Sequence, residues 1–167
     1  MAIVLDAIRN FDRSLMSVYL ILSIDRSNTA SEAMAVVDLA IKYQSQGVVG
    51  IDLCGNPLKG DISIYRAAFS KAKRHGLRVT LHFAEVPVSS SEEELQTLLS
   101  FEPDRLGHVI NVPDKIKNTI IGRKLGLELC LTCNVNAKLI SGGFAAHHFS
   151  YWRDKGCPIV LCVSHKP

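Results

Sequence analysis

Apolar residues gather in six short runs along the chain: 18–24, 47–53, 77–82, 105–108, 127–131 and 158–162. Most are rich in Val, Ile and Leu and lack strict alternation, as expected of parallel strands buried on both faces. Between them the pattern changes to helical spacing. Thr29-Ala30-Ser31-Glu32 has the form of a capping signal before 33–43, where apolar residues fall at 33, 36, 37, 40 and 41. Ile62 to His75 carries a similar stripe and stops at Gly76, a suitable C-terminal residue. Ser90, Ser91 and the acids Glu92, Glu93 and Glu94 open a segment ending at Ser100, with negative charge in the first turn where the helix dipole favours it. A further helix runs from Asp114 to Leu125 and ends before Gly126.

The runs begin about 22 to 31 residues apart, the size of one βα unit. Strict alternation of strand and helix predicts an α/β fold with a parallel sheet, either a barrel or a doubly wound sheet. No Gly-x-Gly-x-x-Gly follows the first strand, which weakens a dinucleotide-binding reading. No linker or low-complexity stretch divides residues 1–167, so they read as one domain.

Composition narrows the function only a little. Of the 167 residues 47% are apolar and 21% charged, and the net charge is +3, ordinary for a globular protein. The densest basic run, Lys71-Ala72-Lys73-Arg74, reads as a solvated helix face, so no nucleic-acid partner is expected. The apolar start, Met1 to Leu5, is interrupted by Asp6 and Arg9 too early for a signal peptide, and no stretch approaches a membrane span. The expected setting is the cytoplasm, without membrane attachment. Five cysteines, an odd number set mostly in apolar runs, read as reduced buried thiols. Cys130 and Cys133 have C-x-x-C spacing, but they are expected to close a strand instead of opening a helix, which argues against a zinc or redox motif.

The informative residues stand where strands end. A parallel barrel places its chemistry at those points. The second run ends Asp52-Leu53-Cys54-Gly55-Asn56-Pro57, the third at His82 with Glu85 three residues on, the fourth at His108, and the fifth leads into Thr132-Cys133-Asn134. A single histidine at a strand end is more often a hydrogen-bonded structural residue than a ligand. Two histidines and a glutamate at equivalent places on adjacent strands converge on one mouth.

These residues resemble the adenosine deaminase family, and most closely its adenosine-deaminase-like branch, which removes the N6 substituent of N6-methyl-AMP. The matching stretches are Gly50 to Pro57, His82-Phe83-Ala84-Glu85, Asp104-Arg105-Leu106-Gly107-His108 and Glu128 to Asn134, with His147-His148-Phe149 and Trp152 in addition. The resemblance runs from about Val18 to Cys162. It implies a TIM-type (β/α)8 barrel and a zinc ion (Zn2+), with His82 as a metal ligand. It also implies Glu85 as the acid that protonates the purine ring and His108 as support for the attacking hydroxide. Gly55 would let the purine approach the backbone, with Asp52 and Asn56 nearby. Zinc would lower the pKa of bound water to about 7. Val86 and Pro87, next to Glu85, supply apolar surroundings that favour the neutral acid. The implied partner is a purine nucleoside or nucleotide monophosphate: N6-methyl-AMP going to IMP, or adenosine going to inosine.

The resemblance is incomplete. The family's first strand carries His-x-His, and this sequence has no histidine before His75. Its first run corresponds to the family's third strand. Ser164 and His165 stand where the family has two consecutive aspartates. The expectation is therefore a partial barrel of about six of eight strands, truncated at both ends, with exposed sheet edges and too few zinc ligands to be active alone. The alternative function is a non-catalytic product or an interaction module that pairs with a full-length partner.

Overall fold

The computed structural model describes residues 1–12 and 14–162. Ser164 and His165, and with them the comparison to the aspartate pair, lie outside the described residues.

Helix α1 (Ala2–Arg9) precedes a regular series: β1 (Leu20–Asp25), α2 (Ala30–Lys42), β2 (Val48–Cys54), α3 (Arg66–Arg74), β3 (Arg78–Phe83), α4 (Glu92–Leu99) and β4 (Arg105–His108). Then follow α5 (Asp114–Arg123), β5 (Gly126–Leu129), α6 (Leu131–Asn136), α7 (Phe149–Arg153) and β6 (Ile159–Leu161). The capping box before α2 is complete: the Thr29 hydroxyl accepts from the Glu32 N–H, and the Glu32 carboxylate accepts from the Thr29 N–H. Ala33, Val37 and Ala40 form the buried stripe of α2.

All six strands are parallel, and their order in the sheet is their order in the sequence. A doubly wound sheet reverses direction at a switch point. This one never does, so it is six strands of a (β/α) barrel. Among the described residues β1 and β6 each pair on one side only, and Val160 and Leu161 on β6 are 48% and 52% exposed.

The register divides the sheet into two unlike faces. Ile51, Leu53, Val79, Leu81, Leu106, Leu127 and Leu129 are almost wholly buried. The helices cover this side: α2 lies on β1 and β2, α3 and α4 on β3, and α5 on α4. Burying so many Leu, Ile and Val side chains is the main force holding the layers together. The opposite face is polar. Ser23 aligns with Asp52 and Asp52 with Thr80. Glu128 accepts from Thr80 Oγ1 at 3.1 Å and pairs with Arg105 Nε at 3.0 Å. Near the mouth of the sheet the Tyr65 hydroxyl donates to the carbonyl of Asn28 at 2.8 Å, and buried Arg26 pairs with Glu94 at 2.8 Å. These contacts tie the loop after β1 to the start of α3 and to α4.

Several boundaries differ from expectation. Helix α1 was not legible in Ala2-Ile3-Val4-Leu5, because a short apolar run has no period of its own. The Ile62 stripe begins as a 3-10 turn, Ile62–Tyr65, before α3. Helix α5 ends at Arg123 because Lys124 takes the left-handed conformation, φ +51°, two residues before the predicted glycine stop. The fifth strand ends at Leu129, and the C-x-x-C pair does open a helix: Cys130 is the N-cap of α6 and Cys133 lies inside it. The ladder to β6 runs out at Leu129, which frees the next residue to turn.

Candidate functional site

The C-terminal ends of β2, β3 and β4 and the start of α6 and α7 meet at one mouth. On β2, Asp52 is buried and faces β3. The His82 Nδ1 lies 3.2 Å from Asp52 Oδ1 and 3.1 Å from the Leu53 carbonyl. The side chain is nonetheless 41% exposed. With Nδ1 held by a carbonyl and a carboxylate, Nε2 is the nitrogen available to a ligand, the usual arrangement of a metal-binding imidazole. Burial alone would make His82 less basic, but the hydrogen bond and charge of Asp52 and the charge of Glu85 outweigh it. The ring therefore keeps its proton to a higher pH than a free histidine.

Two turns aim the other residues. Ala84, φ +51°, reverses the chain after β3 and presents Glu85 to the end of β4. There His108 and Val109 are both left-handed, φ +65° and +47°. A β-branched residue in that region costs on the order of 1–3 kcal/mol and persists only where its surroundings enforce it. Three contacts do so. Val109 N–H donates to the Phe83 carbonyl at 3.0 Å, His148 Nε2 to the His108 carbonyl at 2.6 Å, and Trp152 Nε1 to the Val109 carbonyl at 3.4 Å.

The result brings His82, Glu85 and His108 together. The two imidazoles are 5.3 Å apart between centroids, and Glu85 Oε1 lies 3.7 Å from His108 Nε2, beyond hydrogen-bond range. Glu85 is 24% exposed, and Asn111 Nδ2 donates to its carbonyl at 3.1 Å. On the far side of His108, Nδ1 meets the amide of Asn134, which is fully buried, at 2.9 Å.

The β2 loop lies at the same mouth. Gly55 is left-handed, φ +96°, and a Cβ there would fall 2.6 Å from the Asp25 carboxylate. Conformation and packing against β1 therefore already require glycine. Asn56 turns its Oδ1 to the Leu58 N–H at 3.0 Å and shapes the loop.

Asn134, Asn111, His147 and His148 were not singled out as site residues from the sequence. Asn134 was quoted only among the residues that follow the fifth run, and α6 brings it back under His108. The histidine pair stood in the sequence as a motif without a role. All five cysteines are free. The Cys130 thiol is pushed up to about 12 by burial and by Cys162, Cys133 and Glu128 beside it, so it stays protonated at neutral pH.

A zinc ion fits His82 as one ligand. Among the described residues, however, no group of three or more His, Cys, Asp or Glu side chains is arranged to hold a metal. These residues alone do not make a zinc site. Nor is any described helix long and apolar enough to cross a membrane.

Acid stability should report on this corner. Burial lowers His148 from an ordinary 6.5 to about 4, and burial also lowers His147. Above pH 6.5 both folded and unfolded His148 are neutral. Between about 6.5 and about 4 only the unfolded chain takes up the proton, so stability falls as pH falls through that window. His82 acts in the opposite sense. Its contribution is fully present below the ordinary histidine value and is lost as pH rises through its higher folded one. Urea midpoints across this range should therefore be flatter in His148→Gln than in the unsubstituted chain, since glutamine can donate to the His108 carbonyl without titrating. Parallel curves would contradict the assignment.

Comparison with known proteins gives the family. A family model described as adenosine deaminase matches residues 1–161. The N6-mAMP deaminase of Arabidopsis thaliana is 40% identical over 151 residues, which are 90% of this chain and 41% of that protein. The N6-Methyl-AMP deaminase of Danio rerio is 36% identical over 174 residues, 98% of this chain and 49% of that one. A crystal structure of Arabidopsis ADAL complexed with IMP superposes with a TM-score of 0.82 at 40% identity, covering 88% of this chain and 42% of that chain. The chain spans less than half the length of these relatives.

Proposed function

Because the chain belongs to the adenosine deaminase family, we propose that it carries one side of a site for hydrolytic deamination of an adenine nucleotide, with N6-methyl-AMP giving IMP and methylamine. Adenosine going to inosine is the same chemistry on a smaller substrate. The observation that carries the reading is the convergence of His82, Glu85 and His108 at the ends of adjacent strands, with His82 Nδ1 occupied and Nε2 free.

In this reading Glu85, as a carboxylic acid, protonates a ring nitrogen and makes the amine-bearing carbon more electrophilic. His108, beside Glu85, stabilises the attacking oxygen. Asp52 orients the His82 ring, and Gly55 and Asn56 form the loop that faces the purine. Zinc, when bound, would be held by His82 with ligands from outside the described residues, and supplies a water of lowered pKa. A catalytic zinc takes about three protein ligands, so His82 is insufficient by itself. The purified chain incubated with N6-methyl-AMP and zinc is accordingly expected to form no IMP. Turnover with stoichiometric zinc would overturn the division of the site proposed here.

A further inference from the structure

The hydrogen bonds behind His108 form a chain whose protons can be counted. The backbone N–H of Phe149 donates to His147 Nδ1 at 3.0 Å. A backbone amide cannot accept through its nitrogen, so His147 Nδ1 is bare and its ring proton sits on Nε2. That Nε2 lies 3.3 Å from Asn134 Nδ2, while Asn134 Oδ1 lies 2.9 Å from His108 Nδ1. Two donors then face each other in a fully buried place, and a lost hydrogen bond there is costly. A half-turn of the Asn134 amide about its terminal bond removes the conflict. His147 Nε2–H then donates to Oδ1, and Nδ2–H donates to His108 Nδ1.

We propose that Asn134 and His147 are positioning residues that hold His108 as the tautomer protonated on Nε2, with Nδ1 bare. The proton is thereby presented on the side of the ring that faces Glu85, 3.7 Å away, as a hydrogen-bond donor toward the reacting atoms. The direction of the whole chain is set by one backbone N–H, at Phe149, where α7 begins. His148 contributes from the same turn by fixing the His108 carbonyl. Side chain and backbone of His108 are thus gripped by adjacent histidines, whose stacked rings are 4.2 Å apart. The catalytic use of this tautomer rests on the deaminase reading; the tautomer itself does not.

Side-chain 15N NMR of the histidine-labelled chain, without metal or substrate, tests the proposal. The His108 signals are identified by their loss in His108→Gln. The expected spectrum has His108 Nδ1 in the unprotonated range and Nε2 protonated. Asn134→Asp, which can only accept, should move the His108 proton to Nδ1 while His147 keeps its own on Nε2. A proton on His108 Nδ1 in the unsubstituted folded chain, alone or with one on Nε2, would overturn the proposal whether or not the Asp variant folds. Failure of the deaminase reading would show as absent turnover in the assembled enzyme and would leave this spectrum unchanged.

Discussion

Replacing Trp152 with alanine is expected to lower the stability of the chain by about 3–5 kcal/mol, the usual cost of truncating a large buried aromatic. The indole is 1% exposed, and its Nε1–H reaches the Val109 carbonyl. Truncation therefore opens a cavity and strands a carbonyl at a residue already held at φ +47°. Both effects act on the corner that sets His108. A domain is stable by only about 5–15 kcal/mol, so this single change should remove a large part of the total. Urea unfolding measures it, and a loss under about 1 kcal/mol would show that α7 does not hold the corner.

The second large effect concerns Glu85. In a chimera in which residues 1–162 replace the matching segment of the Arabidopsis relative, Glu85→Gln should reduce kcat by roughly 10²–10⁴, the range for loss of a positioned general acid. Glutamine keeps the shape and cannot give up a proton, so KM should change far less. An equal loss in Glu85→Gln and in a conservative variant of an exposed acid such as Glu93→Gln would remove the assignment.

The residues that converge in the candidate site stood out in the sequence for a physical reason. His82, Glu85 and His108 interrupt or follow apolar runs, and polar residues at the ends of buried parallel strands stand out against their surroundings. The parallel, sequential sheet was legible for a similar reason, since each βα unit repeats at nearly constant length. The choice between a barrel and a doubly wound sheet was not in the pattern, because strand order is a tertiary property; the unbroken order β1 to β6 decides it.

What the sequence hid depends on contacts between distant segments. Nothing local in Ala84 or Val109 favours the left-handed conformation, and at Val109 it is held by partners up to 43 residues away. The turn from β5 into α6 was hidden because Cys130-Leu131-Thr132-Cys133 is apolar enough for either element. Asn134 was quoted as a motif residue, yet its role follows only from the helix that carries it. Gly55 shows the reverse difficulty: a glycine expected to make room for a ligand is already required by its backbone and by Asp25.

The most direct test of the central claim is conversion of N6-methyl-AMP by that zinc-loaded chimera, followed by the appearance of IMP. If His82, Glu85 and His108 of this chain form one side of a nucleotide deaminase site, the folded chimera turns the substrate over and loses that activity in Glu85→Gln. A folded, zinc-loaded chimera that converts neither N6-methyl-AMP nor adenosine would contradict the account.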